Sequence, residues 1–326
     1  MKNKIMAMLV AFGMVGSVSA VEVNENLSIN GFIDGSVSQT DTDGTGAGTG
    51  KDGSLGLDEV EVNFLFNVGS VSGELHVDSA PSGGTLTSDG GLNIEQAHFT
   101  YTLENGVSLT FGRFGSALGL EREDPAGLYT FSRAYGSTAA GNSFNFGDVD
   151  NNAVEGLVIS YAADAWSLGV SIDNPAGSIR ANNSKDDLNY EVALSYTGIE
   201  NLSVGIGYYK DNRATAANEV DATNINATYQ VGKALLGAEW SQVEESTGDL
   251  DAQMFLVDYD VSDKLGVAVR YSSYEESANV DVDKFTIAPN YAITESLGAI
   301  LEYSDISHDT ANSDSDLIAL ELTYTF

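Results

Sequence analysis

Residues 316–326 read DLIALELTYTF. Ile318, Leu320, Leu322, Tyr324 and Phe326 fall on one side of a period-2 pattern, with Ala319, Glu321, Thr323 and Thr325 on the other. That is the signature of a β-strand with one apolar and one wet face. The pattern recurs upstream. Val60, Val62, Phe64, Phe66 and Val68 oppose Glu59, Glu61, Asn63 and Asn67, and Trp166, Leu168, Val170 and Ile172 oppose Ser167, Gly169, Ser171 and Asp173. Leu265, Val267, Val269 and Tyr271 oppose Gly266, Ala268, Arg270 and Ser272. No long stretch shows helical periodicity beside it.

Sixteen strands are predicted, near 25–37, 55–68, 71–79, 92–103, 107–114, 153–161, 165–173, 187–197, 201–210, 219–229, 233–243, 250–259, 264–275, 281–292, 295–305 and 316–326. Pro289, inside one of them, removes a ladder donor and counts against that strand. The connections alternate in length. Short ones include Gly69-Ser70, Glu104-Asn105-Gly106, Ala163-Asp164 and Val231-Gly232, and long ones include TDTDGTGAGTGKDG, PSGGTLTSDGG, NPAGSIRANNSKD and ISHDTANSDS. The first of these suggests a calcium loop, but it lacks the spacing and terminal Glu of an EF-hand and reads as a solvated loop.

The opening MKNKIMAMLVAFGMVGSVSA has two lysines, a short apolar run and a small-residue cleavage site, Val18-Ser19-Ala20. Residues 1–20 are therefore predicted to be a signal peptide and the mature chain to begin at Val21. The full chain carries 14 Lys and Arg against 48 Asp and Glu, a net of −34. Loss of Lys2 and Lys4 leaves 12 basic residues and a net of −36. Such a balance excludes a nucleic-acid partner, which needs clustered cations. With no cysteine, stability must come from the sheet itself.

An exported all-β chain with alternating strands and alternating loop lengths fits a transmembrane antiparallel β-barrel of about 16 strands. Residues 21–326 would form a single barrel with short periplasmic turns and long external loops. Its apolar faces would meet lipid, its polar faces would line a lumen, and closure would leave no sheet edge in hydrocarbon. Trp166, Tyr196, Tyr208, Tyr271, Tyr303 and Tyr324 would then sit in interfacial girdles.

On these residues the chain resembles the Gram-negative outer-membrane porins. The terminal TYTF is similar to that family's habit of ending on an aromatic, which implies recognition of the strand ending at Phe326 by the barrel-assembly machinery. Residues 107–136, VSLTFGRFGSALGLEREDPAGLYTFSRAYG, resemble a β-barrel porin family in which a strand ends Gly-basic-Phe before a Leu-Gly-x-Glu loop. Here those positions are Gly112-Arg113-Phe114 and Leu118-Gly119-Leu120-Glu121, followed by Ser132-Arg133. The resemblance implies localisation in the outer membrane, contact with lipid and lipopolysaccharide, and compatibility with a homotrimer. It also implies that the segment 115–152 folds inward to narrow a pore, with Arg113, Glu121, Arg122, Glu123, Asp124 and Arg133 at the constriction.

Strand parity places Glu59, Glu61, Glu74, Asp78, Glu191, Glu239, Arg270, Lys284, Glu302 and Glu321 on the lumen wall, with Asp34 and His76 among them. Carboxylate walls concentrate cations within a Debye length of about 8 Å. The expected function is passive diffusion of ions and small hydrophilic solutes with cation preference. A solute-specific channel and a structural or adhesive barrel are the alternatives. Only His76, His98 and His308 could serve as an imidazole base, and none is placed by the sequence beside an activated serine. No enzyme activity, cofactor or metal site is expected.

Overall fold

The computed structural model describes residues 20–44, 49–79, 93–121, 125–136, 153–174, 188–212, 220–245, 248–277, 280–309 and 314–326. The expected signal peptide lies almost wholly outside them, as do Arg122, Glu123 and Asp124 and residues 137–152 of the long connection.

Among the described residues seventeen strands follow one another: β1 Val21–Asn24, β2 Leu27–Thr42, β3 Gly50–Val68, β4 Val71–Ser79, β5 Asn93–Thr102, β6 Val107–Phe114, β7 Val154–Ala162, β8 Trp166–Asp173, β9 Asn189–Tyr196, β10 Leu202–Asp211, β11 Val220–Val231, β12 Ala234–Glu245, β13 Gly248–Asp260, β14 Leu265–Ser277, β15 Val280–Ala292, β16 Leu297–His308 and β17 Ser315–Thr325. From β2 onward each strand pairs antiparallel with the next, and β17 pairs back onto β2 from Ser315↔Thr42 to Thr325↔Phe32. Sixteen strands thus close a barrel, and β1 is a short flap paired with β2. At the seam the amide and carbonyl of Phe326 exchange hydrogen bonds with those of Gly31, each 3.0 Å.

The two faces have opposite chemistry. Phe99, Trp166 and Ile318 are 51%, 50% and 56% exposed on the outside, whereas Glu61 and Arg270 are 0% and 1% exposed inside. Exposed outside and buried inside alternate residue by residue along β8. A belt of apolar side chains around a charged interior inverts the order of a water-soluble protein, and it is stable only where hydrocarbon is the outer solvent. Tyr161, Trp166, Tyr229, Tyr259, Tyr291 and Tyr324 stand outward beside the short connections. The Trp166 and Tyr196 rings lie 4.3 Å apart there. Farther along the strands, the hydroxyls of Tyr271 and Tyr303 donate to Asp283 (2.7 Å) and Asp316 (2.6 Å), and Tyr208 packs on Tyr190. Rings with one apolar side and one polar tip suit the boundary between lipid and water.

Three departures from strict alternation matter. β2 and β3 continue through residues expected to be loop, pairing Ser38↔Ser54 up to Thr42↔Gly50. This part of TDTDGTGAGTGKDG is a polar hairpin, with Lys51 3.4 Å from Asp41. Period-2 reading misses it because a strand wet on both faces has no apolar alternation. Pro289 is accommodated because the β15–β16 ladder has no partners for Ala288 and Pro289, then resumes at Asn290↔Ile300 in the same register. Finally, bulges at Asp58 in β3 and Glu95 in β5 each insert one extra residue, which reverses the faces beyond them.

Candidate functional site

Of the connection that leaves β6, residues 116–121 and 130–135 lie against the interior of the barrel. The Gly-basic-Phe motif begins it. Gly112 has φ 140°, and a Cβ there would stand 2.2 Å from the Ala97 carbonyl oxygen and 2.7 Å from His98 Cα. Only glycine satisfies both demands. Arg113 then ties neighbouring strands, its Nε donating to the Glu95 carbonyl at 2.8 Å and its Nη1 to that of Ala153 at 3.4 Å. Gly112→Ala is expected to cost at least about 1–3 kcal/mol in backbone strain, with the clash added. Thermal unfolding of the heat-resistant band on electrophoresis reads this directly.

Residues 116–121 are held by buried wall carboxylates. Glu191 on β9 accepts from Ser116 Oγ (2.6 Å) and Ala117 N (2.8 Å), and Glu239 on β12 accepts from Leu120 N. The two leucines of the Leu-Gly-x-Glu motif seat on glycines of the wall. An added Cβ at Gly207 would lie 2.9 Å from Leu118 Cγ, and one at Gly237 3.1 Å from Leu120 Cδ2. Glu121 accepts from Arg270 Nη1 on β14 and from Ala134 N (2.7 Å).

Ser132 is the hub of the second half. Its amide donates to Glu302 on β16 at 3.0 Å and its hydroxyl donates to the same carboxylate. That hydroxyl accepts from Lys284 Nζ on β15 at 2.6 Å, and its carbonyl accepts from Arg270 Nη2 at 2.7 Å. Arg270 also donates to Thr130 Oγ1 (2.7 Å), Lys284 to the Arg133 carbonyl (2.8 Å), and Ser272 Oγ to the Ala134 carbonyl (2.6 Å). Leu118, Ala134 and Tyr135 join an apolar cluster with Met254, Val243 and Val282 from the wall. The Tyr135 ring meets Tyr274 edge-on, centroids 5.8 Å apart. Burial, with the Glu239 and Glu121 carboxylates nearby, pushes the Tyr135 phenol far up, so it stays neutral.

The sequence-predicted residues therefore divide into groups. Glu191, Glu239, Arg270, Lys284 and Glu302 carry the segment, spread over β9 to β16. Glu59, Glu61, Glu74, Asp78 and Glu321 stand on the opposite arc, β3, β4 and β17, together with Asp34 on β2. Asp34 accepts from Thr323 Oγ1 across the seam at 2.8 Å. Arg113 faces main-chain carbonyls, Glu121 faces Arg270, and Arg133 is half-buried. Parity missed Asp58 and Glu95, which the bulges turn inward, and it gave no sign of Thr130 and Tyr135, which lie in a loop with no period.

A closed barrel, apolar outside and charged inside, with residues 116–121 and 130–134 bonded to its inner wall, defines an outer-membrane channel protein. The family model for the Gram-negative porins matches residues 6–311, and the chain belongs to that family, in the outer membrane. No curated protein matches the sequence. Among solved structures, the outer membrane channel DcaP of Acinetobacter baumannii is similar at TM-score 0.69 and 16% identity, covering 95% of this chain and 100% of that one. The anion-selective porin from Comamonas acidovorans follows at 0.67 and 12%, covering 92% and 99%. The trimer form of in-vitro folded OmpT, an outer membrane protein of Vibrio cholerae, matches at 0.61 and 13%, covering 93% and 100%.

Proposed function

We propose that the protein is a passive diffusion channel for ions and small hydrophilic solutes, narrowed by the segment from Gly115 and preferring cations. The observation that carries the preference is the asymmetry of the wall. Arg270 and Lys284, the basic members of the lumen set, are both engaged by the segment. The opposite arc carries Asp34, Asp58, Glu59, Glu61, Glu74, Asp78, Glu95 and Glu321. Fixed charge of one sign along a confined aqueous path raises the local concentration of counter-ions. The fold itself does not choose the sign, since a porin named as anion-selective shares it.

In this reading Glu121 and Arg133, with the neighbouring Arg122, Glu123 and Asp124, set the narrowest field. Homotrimer formation, contact with lipopolysaccharide and delivery by the barrel-assembly machinery through β17 belong to the same proposal. Single-channel recording in a planar bilayer under a KCl gradient tests it. Stepwise conductance with a cation-directed reversal potential is expected. An anion-directed potential would overturn the selectivity, and absence of conductance from correctly folded protein would overturn the channel itself.

A further inference from the structure

The acidic arc holds one cluster that pore electrostatics does not explain. Glu61, His76 and Glu95 come from the three adjacent strands β3, β4 and β5, and all three are buried. His76 Nδ1 lies 3.3 Å from Glu61 Oε1 and 3.7 Å from Glu95 Oε2. One ligand atom from each residue falls within 4.8 Å of the others.

We propose that Glu61, His76 and Glu95 form a binding site for a divalent transition-metal ion of the zinc class.

The first support is the bulge. In β5, Phe99 and Tyr101 face outward, so strict alternation would send Glu95 outward as well. The irregularity between His76 and Val77 brings Glu95 inside next to Gln96, and leaves Ile94 to face outward, 57% exposed. The local ladder is broken at the one point that delivers a second carboxylate to the imidazole.

The second support is the orientation of the ring. His76 Nε2 is 3.1 Å from Glu74 Oε2, so Glu74 can hold the ring proton on Nε2 while a metal-bound Nδ1 turns its lone pair toward the two carboxylates. A carboxylate behind a histidine is the usual outer partner of a metal-ligating imidazole, fixing its tautomer and orientation.

The third is the state of the facing atoms. Glu61 is 0% exposed, yet neither of its carboxylate oxygens accepts a hydrogen bond, and His76 Nδ1 makes none. Separations of 3.3 and 3.7 Å are close to the roughly 3.3–3.6 Å between ligand atoms of a tetrahedral ion bonded at about 2.0–2.2 Å. Two buried carboxylates facing each other are costly, and a divalent cation neutralises both. An imidazole beside two carboxylates favours zinc-like ions over calcium or magnesium, which prefer oxygen alone. Sequence parity gives no sign of such a site, since Glu61 and His76 fall among the other wall residues and the bulge at Glu95 has no compositional mark.

The site is independent of conduction and can be tested without it. The full chain, refolded in detergent and stripped with EDTA, is titrated with Zn²⁺ by calorimetry, and with Co²⁺ by its visible absorption. One ion per chain is expected, with Co²⁺ displaced by Zn²⁺. His76→Gln and Glu61→Gln should abolish binding, Glu74→Gln should weaken it about 10–100-fold, and His308→Ala should leave it unchanged. Heat-modifiable migration confirms that each variant is folded, and the volume-preserving Glu61→Gln carries the test if His76→Gln does not fold. No uptake by the parent chain would overturn the site and identify an imidazolium paired with two carboxylates. Uptake that survives in a folded His76→Gln or Glu61→Gln variant would overturn it too, by moving binding to other acids.

Discussion

Arg270→Ala is expected to raise single-channel conductance and to lower barrel stability by about 3–5 kcal/mol. The guanidinium is 1% exposed and donates to Glu121, Thr130 and Ser132, so it joins both halves of the inner segment to β14. Removal of a buried charge leaves its partner's charge without compensation, which explains the size of the loss. Glu121 would then move toward water and carry the segment away from the wall. Arg270→Lys should recover only part of the effect, because an ammonium cannot present two nitrogens to separate acceptors in a fixed fork. Recording in planar bilayers gives the conductance, and loss of the heat-resistant form in detergent gives the stability. Unchanged conductance would mean that Glu191, Glu239, Lys284 and Glu302, with the apolar contacts of Leu118 and Tyr135, hold the segment without Arg270.

Gly31→Val is expected to prevent the barrel from reaching its heat-resistant form. A Cβ at Gly31 would stand 2.2 Å from the Glu61 carbonyl oxygen and 2.8 Å from the tip of the Phe326 ring. The ring could turn, but the carbonyl belongs to β3 and cannot retreat without breaking its ladder. Overpacking alone costs about 1–3 kcal/mol, and here it falls on the seam. Phe326 covers the bare glycine as it stacks on Tyr324, centroids 6.0 Å apart, which is how aromatics protect glycines in exposed sheet positions. Gly298→Ala is the control, since nothing lies within 4 Å of a Cβ there. It should fold as the parent does. A folded, heat-resistant Gly31→Val barrel would show that β2 and β3 can separate locally at Gly31.

The strands were legible because each separates lipid from interior by a period of two, as β8 and β17 do over their whole lengths. Legibility failed where that contrast vanishes. The β2–β3 pairing from Ser38↔Ser54 to Thr42↔Gly50 is polar on both faces, and the bulges at Asp58 and Glu95 change parity without a compositional mark. Much of the site was visible as a face but not as a set of bonds. Glu191, Glu239, Arg270, Lys284 and Glu302 read as wall charges, whereas their heads hold residues of 116–121 and 130–133 of the same chain. Parity says which way a side chain points. It cannot say what, arriving from a loop more than 100 residues away in sequence, meets it there, as Glu121 meets Arg270 across 149 positions. Motif spacing came closer, since Leu118, Leu120, Glu121 and Ser132 all touch the wall.

The seam also dictates the order of events in folding. Every other junction of the barrel joins strands consecutive in the chain, but β17 meets β2 across about 290 positions, as the Thr323–Asp34 bond does across 289. Loop-closure entropy grows as (3/2)RT ln n, so this junction costs about 3 kcal/mol more to form than a ten-residue hairpin. It also has the largest sequence separation in the molecule, and such contacts form slowly. Until it forms, the sheet has two unpaired edges, which lipid does not tolerate and which other chains can extend by strand addition. Closure is therefore the late, committing step, and a chain stalled before it is exposed to aggregation.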